Sequence, residues 1–92
     1  MANETDTVTD RDRELFYKLV LMLKVGAYEQ LGLMENPFTK QKRKRIKVAR
    51  ESIDMLNMLL RRMKLTPEER DALKGVLTEL QTLFIKESSA EL

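Results

Sequence analysis

The residues of this 92-residue chain that could do chemistry are its charges, because the usual catalytic side chains are missing. It has no histidine and no cysteine. Without them there is no triad base, no thiolate nucleophile and no Cys-type metal site. Catalysis would have to rest on carboxylates, Lys, Arg or Tyr. The densest feature is the segment KQKRKRIKVAR, in which Lys40, Lys42, Arg43, Lys44, Arg45, Lys47 and Arg50 stand with no acid between them. Such a run neutralises phosphates and releases counterions, the chemistry of sequence-nonspecific RNA or DNA binding. Phe38 is the only nearby aromatic, so no platform for stacking single strands is expected. The plainer reading is a solvated run that balances acidic surface elsewhere. Taking these seven charges from the net +2 leaves the remainder of the chain at −5. Membrane association is a weaker variant, because Ile46 and Val48 are the only bulky apolar residues in the run and no Trp anchors an interface.

If the run is helical, Lys40, Arg43, Lys44, Lys47 and Arg50 fall within about 120° of one another, a usable phosphate-facing stripe. Lys42 and Arg45 would then occupy the angular position of the apolar seam Ile46, Ala49 and Ile53, where cations cannot pack. The first turns therefore either project beyond the bundle or are not helical until bound.

The carboxylates fit structural work. Asp10, Asp12 and Glu14 open one expected helix, and Glu68, Glu69 and Asp71 open another. Asp54 follows Arg50 by one turn and is expected to pair with it, or with a neighbouring helix or subunit. There is no calcium loop, no ExxH pair and no Gly-rich phosphate loop. No catalytic residue, metal site, cofactor or small-molecule substrate is expected, and the chain does not read as an enzyme.

The elements that must carry these charges are helices. Apolar residues make up 42% and charged residues 35%, while Gly and Pro number only 3 and 2, a composition that points to an all-α protein. Residues 1–8 are polar and acidic and are expected to be a disordered tail. A capping box from Thr9 to Asp12 should start the first helix, which runs to about Leu31 with Gly32 as its left-handed stop. The second helix starts somewhere in 40–46 and runs to about Lys64. Ile46, Ala49, Ile53, Leu56, Leu60 and Met63 form its 3-4 seam. Thr66, Pro67 and Glu69 give the sharpest local signal, an N-cap, an N1 proline and a closing N3 acid. The third helix should run from Pro67 to about Lys86, with Leu73, Val76, Leu80 and Leu83 as its seam, and 87–92 should fray. Gly75 within it suggests a close helix crossing. The domain is thus 9–86: three helices, the second and third an antiparallel hairpin, with the first packed across it.

Assembly follows from apolar surplus. The first helix is apolar nearly all round, more than two other short helices can cover. Tyr17, Leu21, Val25 and Tyr28 on that helix, with Met55, Met58 and Leu59 on the second, form the candidate oligomer interface. A homodimer is the simplest closure. A structural or protein-interaction module binding itself, or another protein, is the leading functional expectation, and nucleic-acid binding through Lys40–Arg50 is the alternative. The start of the sequence lacks a basic stretch followed by an apolar one, so a soluble cytoplasmic protein with no membrane span is expected.

The order of features also resembles the small bacterial proteins grouped as domain of unknown function 1844. The pieces are LKVGAYEQLGL from Leu23 to Leu33, Asn36-Pro37, ARESIDML from Ala49 to Leu56, LTPEE from Leu65 to Glu69, and LTEL from Leu77 to Leu80. The resemblance covers about three-quarters of the chain. It implies a soluble, all-helical bacterial protein with no assigned activity and no catalytic residues to carry over. Against the family's pattern the turn at Arg62-Met63-Lys64 is short and the 40–50 segment is unusually basic, so a function built on that segment would be peculiar to this chain.

Overall fold

Three helices and no strand make up residues 9–89, the part of the chain that the computed structural model describes. They are α1 (Asp10–Gln30), α2 (Ile46–Arg62) and α3 (Pro67–Ser89). The expected tail at 1–8 and the final residues 90–92 lie outside the described part.

The helix boundaries follow from capping chemistry. Asp12 donates its backbone N–H to Thr9 Oγ1 at 3.1 Å, and the Thr9 N–H reaches Asp12 Oδ2 at 3.1 Å. Two of the donors that a helix start leaves unpaired are satisfied in this way. At the other end Gly32 takes φ +79°, and the N–H of Leu33 reaches back to Tyr28 O at 2.9 Å. That is the reach-back bond of a glycine-terminated helix. At α3, Thr66 and Glu69 make the same reciprocal pair, with bonds of 2.9 and 3.1 Å, and Glu69 is buried. A buried carboxylate is tolerated there because the Thr66 N–H is bonded to it at the positive end of the helix.

α2 starts differently. Its N-cap is Arg45, which makes no side-chain cap bond, and its first turn holds no acid. Residues 40–45 are not helical. They run as an irregular segment in which Lys44 pairs with Leu31 in a single antiparallel bridge. This corrects the cationic stripe that a helix from Lys40 would have made. The apparent clash of Lys42 and Arg45 with the apolar seam disappears, because the helix begins at Ile46, where the seam begins. α2 also ends sooner than Lys64. Met63 is extended and exposed, because the chain must straighten ahead of Pro67 and free Thr66 to cap α3. α3 in turn continues to Ser89 rather than ending near Lys86. Lys44 Nζ holds its last turn, 3.1 Å from Glu87 Oε1 and 3.2 Å from Glu87 O.

The core is small. Phe16, Val20 and Ala27 of α1 meet Ile53 and Leu56 of α2 and Leu73, Leu77 and Leu80 of α3, with Leu23, Leu60, Val76 and Phe84 packed around them. Ala49 and Leu31 are fully buried. One polar pair crosses the interior: Ser52 Oγ donates to Gln30 Oε1 at 2.7 Å, so its burial leaves no hydroxyl unpaired. Gly75 does not mark a helix crossing, since a Cβ there would meet nothing within 4 Å.

Candidate functional site

The connection from α1 to α2 carries the first part of the basic segment and meets the candidate interface only at Leu21 and Val25. Asn36 organises it. Its Oδ1 accepts from the N–H groups of Phe38 and Thr39 at 2.8 and 3.0 Å. Its backbone exchanges bonds with Lys40 and Gln41 at 2.8 and 2.9 Å. Its Nδ2 donates to Glu29 Oε1 at 2.8 Å. Lys40 closes this ring at φ +59°, a left-handed conformation that costs a non-glycine residue roughly 1 kcal/mol or more. Phe38 stands at the tip of the ring, 92% exposed.

The seven cations divide into two sets. Lys44 and Arg45 are structural: Lys44 holds Glu87, and Arg45 Nη2 lies 2.7 Å from Glu29 Oε1 while its N–H reaches Gln30 O at 2.7 Å. The stem of Lys44 also passes over Gly32, where a Cβ would come within 2.9 Å of Lys44 Cγ. Lys40, Lys42, Arg43, Lys47 and Arg50 are exposed and form no ion pair among the described residues. Asp54 does not pair with Arg50. It is exposed and borders a shallow groove with Gln81, Phe84 and Ile85.

Beside the basic segment lies an apolar groove of about 750 Å³, walled by α1 and the connection. Leu21, Met22, Val25 and Gly26 form one side and Met34, Pro37 and Phe38 the other. The candidate interface residues are distributed unevenly around it. Leu21 and Val25 line the groove and are 58% and 42% exposed, and Tyr17 is exposed on the same helix. Met55 and Met58 are exposed on α2. Tyr28 and Leu59 pack against the chain's own core instead. Sequence reasoning missed Phe38, Met34 and Met22 as surface residues. Met22 falls within the nearly continuous apolar band of α1, and nothing in a Pro-Phe pair says which way the ring points.

A further cluster of interacting titratable groups joins α1 to α3. The Tyr28 hydroxyl donates to Glu79 Oε2, and Lys24 Nζ lies 3.6 Å from the same oxygen and 5.9 Å from the Tyr28 ring centre. The hydrogen bond to Glu79, then burial, raises the Tyr28 pKa. The same bond lowers that of Glu79, burial opposes it, and the Lys24 charge lowers it further. Both shifts arise from this one contact between two helices.

No helix among the described residues is long and apolar enough to cross a membrane. No curated protein and no solved structure matches the chain. A family model described as a domain of unknown function does match, over residues 14–86, which takes in most of the three helices, the Asn36 ring, the groove and the basic segment. The chain therefore belongs to the family of domain of unknown function 1844.

Proposed function

We propose that this protein is a non-enzymatic interaction module of the bacterial cytoplasm that works as a homo-oligomer. In this reading α2 and α3 form an antiparallel hairpin with α1 across it, and the outer side of α1 is the contact surface. The observation that carries it is the balance of apolar side chains. Thirteen large hydrophobic residues are exposed, against ten apolar residues in the core of the described part. Nine of the thirteen lie on α1 and the connection that follows it. A monomer scatters such residues singly, whereas a contiguous group marks an interface. The non-enzymatic part rests on the absence of histidine and cysteine and of any mutually spaced catalytic set. Light scattering coupled to gel filtration tests the assembly. A mass at least twice the 10.8 kDa of one chain at micromolar concentration is expected. A monomer at that concentration sinks the proposal. Replacing Leu21 and Val25 together with Lys should return the assembly to monomer.

A second reading is favoured by one separate observation, the five exposed cations without acid partners. It makes the 40–50 segment a contact for the phosphate backbone of RNA or DNA. Replacing Lys40, Lys42, Arg43, Lys47 and Arg50 with Gln should then abolish binding to a labelled duplex while leaving Lys44 and Arg45 to hold the fold. Affinity of the unaltered chain should fall steeply with salt, by roughly the number of phosphates contacted per decade. A salt-independent interaction excludes this reading.

A further inference from the structure

We infer that the groove between α1 and the Asn36 ring receives α1 of a second copy of this chain, packed antiparallel about a two-fold axis near Met22, with Phe38 of each copy gripping the other's helix. This rests on the self-association proposed above and specifies its geometry.

Three observations lead to a second copy rather than to a foreign helix. The first is the state of Phe38. An aromatic ring left 92% exposed is ordinarily mobile and costly, but here Asn36 fixes its backbone from two sides and Pro37 restricts the approach. A knob whose backbone is fixed before binding loses less entropy when it docks. It has no use within its own chain.

The second is what the far side of α1 offers. By the 100° step, Leu15, Leu19, Met22 and Gly26 share an arc of about 60° beside the groove. The three side chains are 45%, 41% and 70% exposed. The glycine has no internal justification, because a Cβ there would meet only the flexible end of Gln30 at 3.7 Å. Mid-helix glycine costs about 1 kcal/mol against alanine, so the notch needs a reason outside the chain. Knob and notch thus lie on one surface patch. An isologous two-fold contact requires just this, the same patch supplying both halves of the fit.

The third is charge. Arg11 and Lys18 lie along the N-terminal half of this side of α1, each exposed and held only by long contacts to Glu14 of 3.8 and 3.6 Å. Glu29 and Glu35 border the groove at the C-terminal end. Antiparallel packing sets Lys18 and Arg11 of one copy toward Glu35 of the partner subunit, since Glu29 is already paired with Arg45 in its own chain. Parallel packing would stack like charges, which opposes it.

The native chain has no cysteine, so single cysteines report proximity without background. Met22→Cys under mild oxidation is expected to give a covalent dimer, because a residue on a two-fold axis faces its own copy. Met58→Cys, on α2, is expected to remain uncrosslinked. Phe38→Glu should weaken dimerisation by roughly 30-fold or more, the size usual for a buried aromatic anchor. Its folding should be untouched, as read by circular dichroism, because the ring contacts nothing in its own core. A dimeric mass with crosslinking at Met58 and none at Met22 overturns this geometry and leaves self-association standing. Unchanged dimerisation of Phe38→Glu likewise overturns it. A monomeric mass overturns both, including the case in which the monomer captures an amphipathic helical peptide through Phe38.

Discussion

α1 carries two faces of nearly the same composition that meet opposite fates. Phe16, Val20 and Ala27 are buried against α2 and α3, while Leu15, Leu19, Leu21, Met22 and Val25 on the same turns are exposed. Hydrophobicity therefore does not decide which side of this helix folds inward. The partners do. The seams of α2 and α3 are narrow, and together they cover one arc of α1 and leave the rest. The inner face supplies folding energy, and the outer face is left for association.

Substitution should separate the two faces most clearly at Phe16. Removing that ring leaves a cavity in a small core, and Phe16→Ala should cost about 3–5 kcal/mol in urea unfolding. Leu19→Ala on the outer face should stay within about 0.5 kcal/mol at concentrations where the protein is monomeric. Equal losses would erase the distinction. The basic segment allows the same comparison within one residue type. Lys44→Ala, which releases the last turn of α3, should cost about 1 kcal/mol, whereas the exposed Lys42→Ala should change stability by no more than about 0.5 kcal/mol. Amide exchange at residues 86–89 should quicken only in the former.

The helix glycines sharpen the contrast further. Gly26→Ala and Gly75→Ala should each stabilise the monomer by up to about 1 kcal/mol, since neither Cβ meets an obstruction in its own chain. If the outer face of α1 is the interface, only Gly26→Ala should also weaken association, which sedimentation can measure. The smallest effect belongs to the contact on α1's shoulder. The folded Glu79 pKa is depressed, so its stabilising contribution is present above the unfolded carboxylate value and is lost as pH falls through the folded one. The folded Tyr28 pKa is raised, so its contribution is present below pH 10 and is lost as pH rises through the folded value. Tyr28→Phe should raise the Glu79 pKa, as followed by NMR titration. An unmoved Glu79 would show that Lys24 alone sets it.

Local signals made the helix ends legible. Thr9 with Asp12, Gly32, and Thr66 with Glu69 need only their own neighbours, so the boundaries at Asp10, Leu31 and Pro67 can be read along the chain. The start of α2 could not be read in this way. Lys42 and Arg45 on the seam's angular position warn against a packed helix over 40–45, but Arg45 offers no cap that would fix the boundary at Ile46. What ends the helix there is a bond from Arg45 N–H to Gln30 O and a bridge to Leu31, both partners lying in a different element. The roles of Lys44 and Glu87 were hidden for the same reason, because they lie far apart in sequence. The basic segment was visible as charge, but its division into two structural and five free cations depends on where Glu29 and Glu87 come to lie. The groove was half legible: the apolar surplus of α1 announced an uncovered face, while the outward Phe38 depends on the ring of bonds around Asn36.

The bridge between Leu31 and Lys44 has a consequence for how this protein can vary. It pins the two ends of residues 32–43 together, so the span between them is a closed loop held to the helices at its neck and, through Asn36, at Glu29. Such a loop can be exchanged as a cassette. The outward ring and three of the five free cations, Lys40, Lys42 and Arg43, all sit in that cassette. A lineage could therefore retarget the molecule by rewriting one loop while the three helices stay as they are, and an engineer could do the same.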